Sequence, residues 1–142
     1  MGTLVEVQNL KKYFPVGGGV LHAVDGVNMR FEEGRTMGVV GESGCGKSTL
    51  AKTIIHLHDP TDGRVLYQGK DVTHPNKREL RALREKMQII FQDPYSTLNP
   101  RYTVEDTLAE PLKLSGQYKG AELDKRIIQL MDMVGISGRL RM

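Results

Sequence analysis

Apolar and polar residues alternate at the start of the chain. Val5 and Val7 are interleaved with Glu6 and Gln8, the period of two that marks a strand with one buried and one wet face. This first strand and its exit are predicted over residues 4–14, and Gly17, Gly18 and Gly19 then form a turn. A second strand is expected over 20–31, with Val27, Met29 and Phe31 on one face, Asn28 and Arg30 on the other, and a kink at Asp25-Gly26. Two long strands joined by so short a glycine turn should pair antiparallel. Glu33-Gly34 leads into a run that does not alternate. Met37, Gly38, Val39 and Val40 read as a short buried strand, placed in a separate, mostly parallel layer because a helix follows it. In that helix Leu50, Ile54 and Leu57 recur at i, i+4 and i+7 as an apolar stripe.

Further along, residues 59–63 (Asp-Pro-Thr-Asp-Gly) make a loop, and 64–68 form a short strand ending at Gly69. Residues 76–86 read as a helix capped by Asn76, with Leu80 and Leu83 on one face. Residues 87–91, Met-Gln-Ile-Ile-Phe, read as another short strand, cut off by Gln92-Asp93-Pro94; Pro94 and Pro100 stiffen the loop 92–101. From Thr103 the period becomes helical. One helix starts at Thr103 and Val104 and breaks near Pro111. A second covers 121–134, with Leu123, Ile127, Leu130, Met131 and Val134 on one side. The chain has no internal repeat and no low-complexity tract.

Composition narrows the class. The 142 residues suit one modest domain, and 39% hydrophobic with 26% charged is the balance of a soluble globular protein. No run approaches the ~18 apolar residues of a membrane span, and the first residues lack the basic-then-apolar order of a secretory signal, so neither is expected. The single cysteine excludes an internal disulfide and fits a reducing cytosol. A net charge of +3 favours anionic ligands only slightly. The basic residues Lys77, Arg78, Arg81, Arg84 and Lys86 suggest a nucleic-acid patch, but Glu79 and Glu85 interleave with them, so a solvated helix face is the better reading and no nucleic-acid partner is expected. His22, His56, His58 and His74 have no ligand-like partner set, and the methionines read as packing.

The candidate chemistry lies between the apolar run and the helix. Gly41-Glu42-Ser43-Gly44-Cys45-Gly46-Lys47-Ser48 fits G-x-x-x-x-G-K-[ST], the phosphate-binding loop pattern, and Thr49 follows. Triphosphate oxygens need several donors at once. Gly41, Gly44 and Gly46 permit the backbone angles and close approach that turn successive N–H groups inward. The helix beginning near Lys47 adds its positive end and its unsatisfied amides. Lys47 brings a point charge to the β- and γ-phosphates, the Ser48 hydroxyl can ligate Mg²⁺, and Thr49 is a further donor. The expected ligand is a triphosphate nucleotide with Mg²⁺. Bound nucleotide should shield Cys45, otherwise a small filler in the loop, from alkylation.

Beyond that loop, the sequence resembles the nucleotide-binding subunits of ATP-binding-cassette (ABC) transporters over nearly its whole length, and most resembles those of bacterial oligopeptide and dipeptide importers. The likeness is carried by Lys11-Lys12-Tyr13-Phe14-Pro15-Val16, by His22-Ala23-Val24-Asp25-Gly26-Val27, by the loop with its flanks, and most specifically by residues 88–101, Gln-Ile-Ile-Phe-Gln-Asp-Pro-Tyr-Ser-Thr-Leu-Asn-Pro-Arg. It implies an α/β fold of P-loop NTPase type: an antiparallel β subdomain, a parallel core sheet with helices, and the start of a helical subdomain. Residues 1–92 would hold the β subdomain and phosphate-loop core, and 93–142 an incomplete helical subdomain. The resemblance casts Tyr13 as the aromatic that stacks on adenine, with Phe14 as its rival. It casts Gln92 as a contact to Mg²⁺ or the attacking water, and the 93–101 loop as the surface facing membrane-spanning permease subunits. A second ATP-binding subunit would complete a head-to-tail dimer, peripheral on the inner face of the cell membrane.

The family's signature, its Asp-Glu strand motif and its switch histidine would all lie beyond this sequence. Leu114-Ser115-Gly116-Gln117 imitates a shortened signature but reads as a helix C-cap turn. Residues 127–132 imitate the apolar run before a metal-binding Asp, but their spacing is helical. The expectation is therefore an N-terminal half that binds nucleotide, hydrolyses it little, exposes a sheet edge and self-associates. The transported solute is left open among oligopeptide, dipeptide and nickel. Two other readings are a small P-loop kinase, which leaves Tyr13 and the 92–101 loop unexplained, and a non-transport ABC ATPase acting on nucleic acid, supported only by the basic helix.

Overall fold

The computed structural model describes residues 2–93 and 98–137. The chain divides into two compact units, Met1–Ile89 and Ile90–Met142.

The first unit is built on the predicted hairpin. Strand β1 (Thr3–Val16) and strand β2 (Gly19–Glu32) pair antiparallel around the glycine turn, where Gly18 takes φ 90°. The ladder is interrupted between Leu10/Val27 and Lys12/Val24, and again before Tyr13/His22, so Ala23 is skipped in the register. Such bulges sharpen the twist and re-aim the side chains beside them. Strand β3 (Asp62–Tyr67) pairs with the other edge of β1, and the two-residue strand β4 (Lys70–Asp71) closes on β3 through a tight turn at Gln68 and Gly69. Among the described residues this gives one antiparallel sheet of order β2-β1-β3-β4. The approach of β3 to β1 requires a glycine. Gly63 has φ +88°, and a Cβ there would stand 2.3 Å from the Asn9 carbonyl oxygen.

Helix α1 (Lys47–Ile54) lies on one face of the sheet, where Leu50 and Ile54 join Val5, Val7, Leu10, Val24 and Val65 in a common core. Val27, Met29 and Phe31 pack against that core as the alternation predicts. Helix α2 (Lys77–Lys86) starts at Asn76, whose side chain accepts from the Arg78 and Glu79 amides while Glu79 returns a bond to the Asn76 amide. Leu83 is its buried anchor.

Four expectations for this unit change. Met37–Val40 is not a buried strand: no ladder includes it among the described residues, and Val40 is 96% exposed. Residues 87–91 likewise form no strand, and Ile90 is 98% exposed. A strand exists only through its pairing, and no described segment pairs with either run, so the parallel layer is not formed among the described residues. Leu57 leaves the apolar stripe because α1 ends at Ile54 and His56 turns to φ 57°. The β4 hairpin had no sequence signal beyond Gln68-Gly69.

The second unit is a pair of helices. Helix α3 (Val104–Ser115) has a capping box in which Thr103 accepts from the Asp106 amide and Asp106 accepts from Thr103, and it ends at Gly116 with φ 74°, the expected C-cap turn. Helix α4 (Ala121–Met133) buries Ile127 and Met131 against Ala109, Leu108 and Leu112. Pro111 does not break α3; it sits inside an unbroken helix on an exposed position. Burial on both sides of it, at Ala109 and Leu112, offsets the lost hydrogen bond. Val134 is 69% exposed, one residue past the end of α4, and does not join the stripe.

Candidate functional site

The phosphate-loop residues meet the β1–β2 hairpin around a cavity of about 350 Å³, lined by Gly44 to Thr49 on one side and by Phe14, Leu21, His22 and Ala23 on the other. Its size is that of a small-molecule site.

The loop's shape is set by its glycines. Gly44 has φ +82° and Gly46 φ +95°, on either side of Cys45. Alternating left- and right-handed residues turn neighbouring amides to one side and build an anion-binding concavity. Gly46 is also the N-cap of α1 and offers no side chain to the first amides of the helix, which leaves them to an anion. There is a second reason for a glycine here. Ala23, skipped at the β2 bulge, presses its carbonyl against the loop, so a Cβ on Gly46 would lie 2.2 Å from that oxygen. The bulge thus registers the hairpin on the phosphate loop. At Gly41 the crowding is milder: a Cβ would meet Cys45 Sγ at 2.8 Å.

Lys47 Nζ donates to the carbonyls of Gly41 at 2.8 Å and Glu42 at 2.5 Å, and stands 3.6 Å from Cys45 Sγ. Its ammonium is therefore held within the turn of the loop. Ser48 and Thr49 line the cavity; Gly41, Glu42 and Ser43 shape the loop but are not among the lining residues. Among the described residues no cluster of three or more His, Cys, Asp or Glu could hold a metal.

Tyr13 and Phe14 point differently, as neighbours on a strand must. Phe14 lines the cavity, with Lys12 Nζ 4.9 Å from its ring centroid and His58 edge-on at 5.4 Å. Tyr13 does not line it. Its ring stacks on His22 at 3.8 Å between centroids, and its hydroxyl donates to Asp25 Oδ1 at 2.6 Å. That bond pushes the Tyr13 phenol up to about 12 and holds the Asp25 carboxyl below its usual range. Leu21, His22 and Ala23 were not singled out as cavity residues from sequence. The signal was present in the hairpin turn, which sets the register that brings 21–23 opposite 13–14. Gln92 belongs to the second unit and is exposed; of the 93–101 loop, residues 94–97 lie outside the described residues.

A glycine-rich loop running into a helix N-terminus, with a lysine and a serine at its end, has the form of a P-loop. The comparisons carry this further. The ABC transporter family profile matches residues 24–141, and the chain belongs to that family. It is 39% identical to the oligopeptide transport ATP-binding protein AppF of Bacillus subtilis, over 94% of this chain and 43% of that protein. It is 44% identical to the oligopeptide transport ATP-binding protein OppF of Escherichia coli, over 94% and 43%. With the dipeptide transport ATP-binding protein DppF of Haemophilus influenzae the identity is 40%, over 94% and 42%. Among solved structures, a dimeric ATP-binding cassette in a post-hydrolysis state bound to ADP and Pi superposes with TM-score 0.75 at 28% identity, covering 97% of this chain and 60% of that one. A component of the cbiONQ ABC transporter complex of Clostridium perfringens gives TM-score 0.70 at 27% identity, over 98% and 53%. The fold class is therefore that of the ABC-type P-loop NTPase. The chain spans about 40–45% of the length of the curated relatives it matches.

Proposed function

We propose that this chain is the nucleotide-binding part of an ATP-binding subunit that energises peptide import. The observation that carries the reading is the cavity itself: left-handed glycines, uncapped helix amides, Lys47 and Ser48 line one side, and the rings of the hairpin stand on the other. The amides and Lys47 would take the phosphates, and the rings that line the cavity, Phe14 and His22, the base, with Tyr13 stacked on His22 outside the lining. The donor set fits Mg²⁺ only together with a nucleotide, because one hydroxyl needs phosphate oxygens and waters to fill an octahedral shell. When bound, Mg²⁺ would neutralise charge on the β- and γ-phosphates. Ser48 is its protein ligand in this reading.

The names of the relatives support a peptide as the cargo of the whole assembly. In the same reading the 93–101 loop faces a membrane-spanning permease, a second ATP-binding subunit pairs head to tail, and the complex sits on the inner face of the membrane. No helix among the described residues is long and apolar enough to cross a membrane. Calorimetry with Mg-ATP tests the nucleotide site. Lys47→Ala should weaken binding at least about tenfold, the worth of one charge-assisted contact of roughly 1.4 kcal/mol or more, and Mg-ATP should slow alkylation of Cys45. Equal affinity of the two proteins, or unchanged labelling at saturation, would overturn the assignment.

A further inference from the structure

His56 stands out among the buried residues. It is 6% exposed, and neither Nδ1 nor Nε2 has a hydrogen-bond partner among the described residues. A neutral imidazole carries one N–H donor and one acceptor nitrogen, so both go unsatisfied in the interior. The backbone adds a second cost. His56 takes φ 57°, the left-handed conformation that favours glycine or asparagine. It sits in the turn that ends α1: its amide donates to the Thr53 carbonyl at 3.2 Å, and the Leu57 and His58 amides both return to the Lys52 carbonyl, at 2.8 and 3.2 Å. A glycine would make this turn without strain, and an apolar side chain would fill the interior without orphaned nitrogens. What histidine alone brings is a group that titrates near neutral pH.

We propose that His56 is a proton-operated latch on α1. Neutral, it stays buried and holds the helix in its seat; protonated, it turns out to water, opens the last turn of α1 and loosens the phosphate cradle at the other end. The inference rests on the nucleotide-site reading and places that site under the control of acidity. The ionisable groups acting on the ring are Asp59 in the following loop, His74 ahead of α2 and Arg84 on α2. Burial is the largest influence and opposes the imidazolium, as do His74 and Arg84; only Asp59 favours it. The carboxyl end of α1 attracts a cation, but the buried ring nitrogens reach none of its carbonyls. A proton on the ring therefore meets an acceptor only once the ring has left the interior. The route to the cavity is short. Thr53, with no exposed surface, accepts from the His56 amide, and its hydroxyl donates to the Thr49 carbonyl at 2.8 Å; Thr49 lines the cavity. With eight residues, α1 depends on its packing to stay helical. Release of the last turn is felt at the first-turn amides, which take the phosphates in that reading. Nucleotide binding and protonation of His56 then oppose each other, and acidification weakens binding.

Calorimetry with Mg-ATP between about pH 5.5 and 8, in buffers of different ionisation enthalpy, reads both the affinity and the protons released on binding. In the native chain, affinity should fall by up to about tenfold per pH unit below the midpoint of His56, and binding there should release up to about one proton. His56→Asn, which keeps the left-handed turn, should lose that slope and that proton, with affinity at about pH 8 within about twofold of the native value. Titration of the nucleotide itself, or of His22 in the cavity, is common to both proteins and cancels in the difference. On the unmodified chain, the ring Hε1 resonance of His56 should titrate at lower pH with saturating Mg-ATP than without it. Equal proton release and equal slope in the two proteins, or a His56 midpoint unmoved by saturating Mg-ATP, would overturn the latch and leave the nucleotide site standing. Failure of the native chain to bind Mg-ATP at about pH 8, or binding indifferent to Lys47→Ala, would overturn the site reading and this inference with it.

Discussion

Gly46→Ala should damage this protein more than any other single methyl added to the phosphate loop. Three glycines of the loop isolate the two possible costs. At Gly44 (φ +82°) a Cβ meets nothing within 4 Å, so Gly44→Ala bears only the left-handed backbone penalty, about 1–2 kcal/mol. At Gly41 no positive φ is involved, and the 2.8 Å contact is with the tip of the Cys45 side chain, which can rotate away. Gly46 combines φ +95° with a backbone carbonyl 2.2 Å from the new methyl. That oxygen must retreat by roughly 1 Å to reach ordinary contact, and it belongs to a bulge pinned by the ladder on both sides, so overpacking of about 1–3 kcal/mol adds to the dihedral cost. The total is about 2–5 kcal/mol. Urea denaturation of the three alanine variants, with tripolyphosphate titrations of each, reads both stability and site. The expected order of loss is Gly46→Ala, then Gly44→Ala, then Gly41→Ala, and only the last should be relieved by adding Cys45→Ala. A Gly46→Ala protein no less stable than Gly44→Ala would refute the contact between hairpin and loop.

Other outcomes follow from single features of the fold. His56 is buried with both ring nitrogens lacking a hydrogen-bond partner among the described residues, and burial first, with His74 and Arg84 adding to it, holds its pKa below 6.5. The unfolded chain then binds more protons in the window between the folded value and 6.5. Stability should be fully present above that window and fall with acidification through it, by at most about 1.4 kcal/mol per pH unit. His56→Asn, which tolerates φ 57°, should flatten that slope in urea midpoints, and an unchanged slope would contradict the assignment. Asn76→Ala and Thr103→Ala each remove a cap and should each cost about 1 kcal/mol, seen as faster amide exchange in α2 for the first and in α3 for the second; loss in the wrong helix would count against the capping boxes. Pro111→Ala restores a donor in the middle of α3 and should stabilise it by about 1–3 kcal/mol, with a rise in the midpoint of helix loss; no gain would mean the helix is bent to fit the proline.

Much of this structure was legible from residue order because the relevant forces act over a few residues. The β1–β2 hairpin follows from alternation and a glycine turn, the start of α2 from Asn76 and Glu79, the end of α3 from Gly116, and the phosphate loop from its glycines, lysine and serine. Each is settled by sterics or by a bond to a near neighbour. Outcomes that need a distant partner were misread. Met37–Val40 and 87–91 have strand composition but form no ladder, because pairing depends on what runs alongside. Pro111 stays in its helix because packing of Ala109 and Leu112 on α4 outweighs one missing bond. The sequence by itself determined the chemistry of the phosphate side of the cavity, where backbone angles and one charge suffice. Only the tertiary structure decided the other side. Which ring covers which, and the second reason beyond its positive φ that Gly46 admits no side chain, depend on the bulge at Ala23, which the turn-set register of the hairpin does not by itself predict.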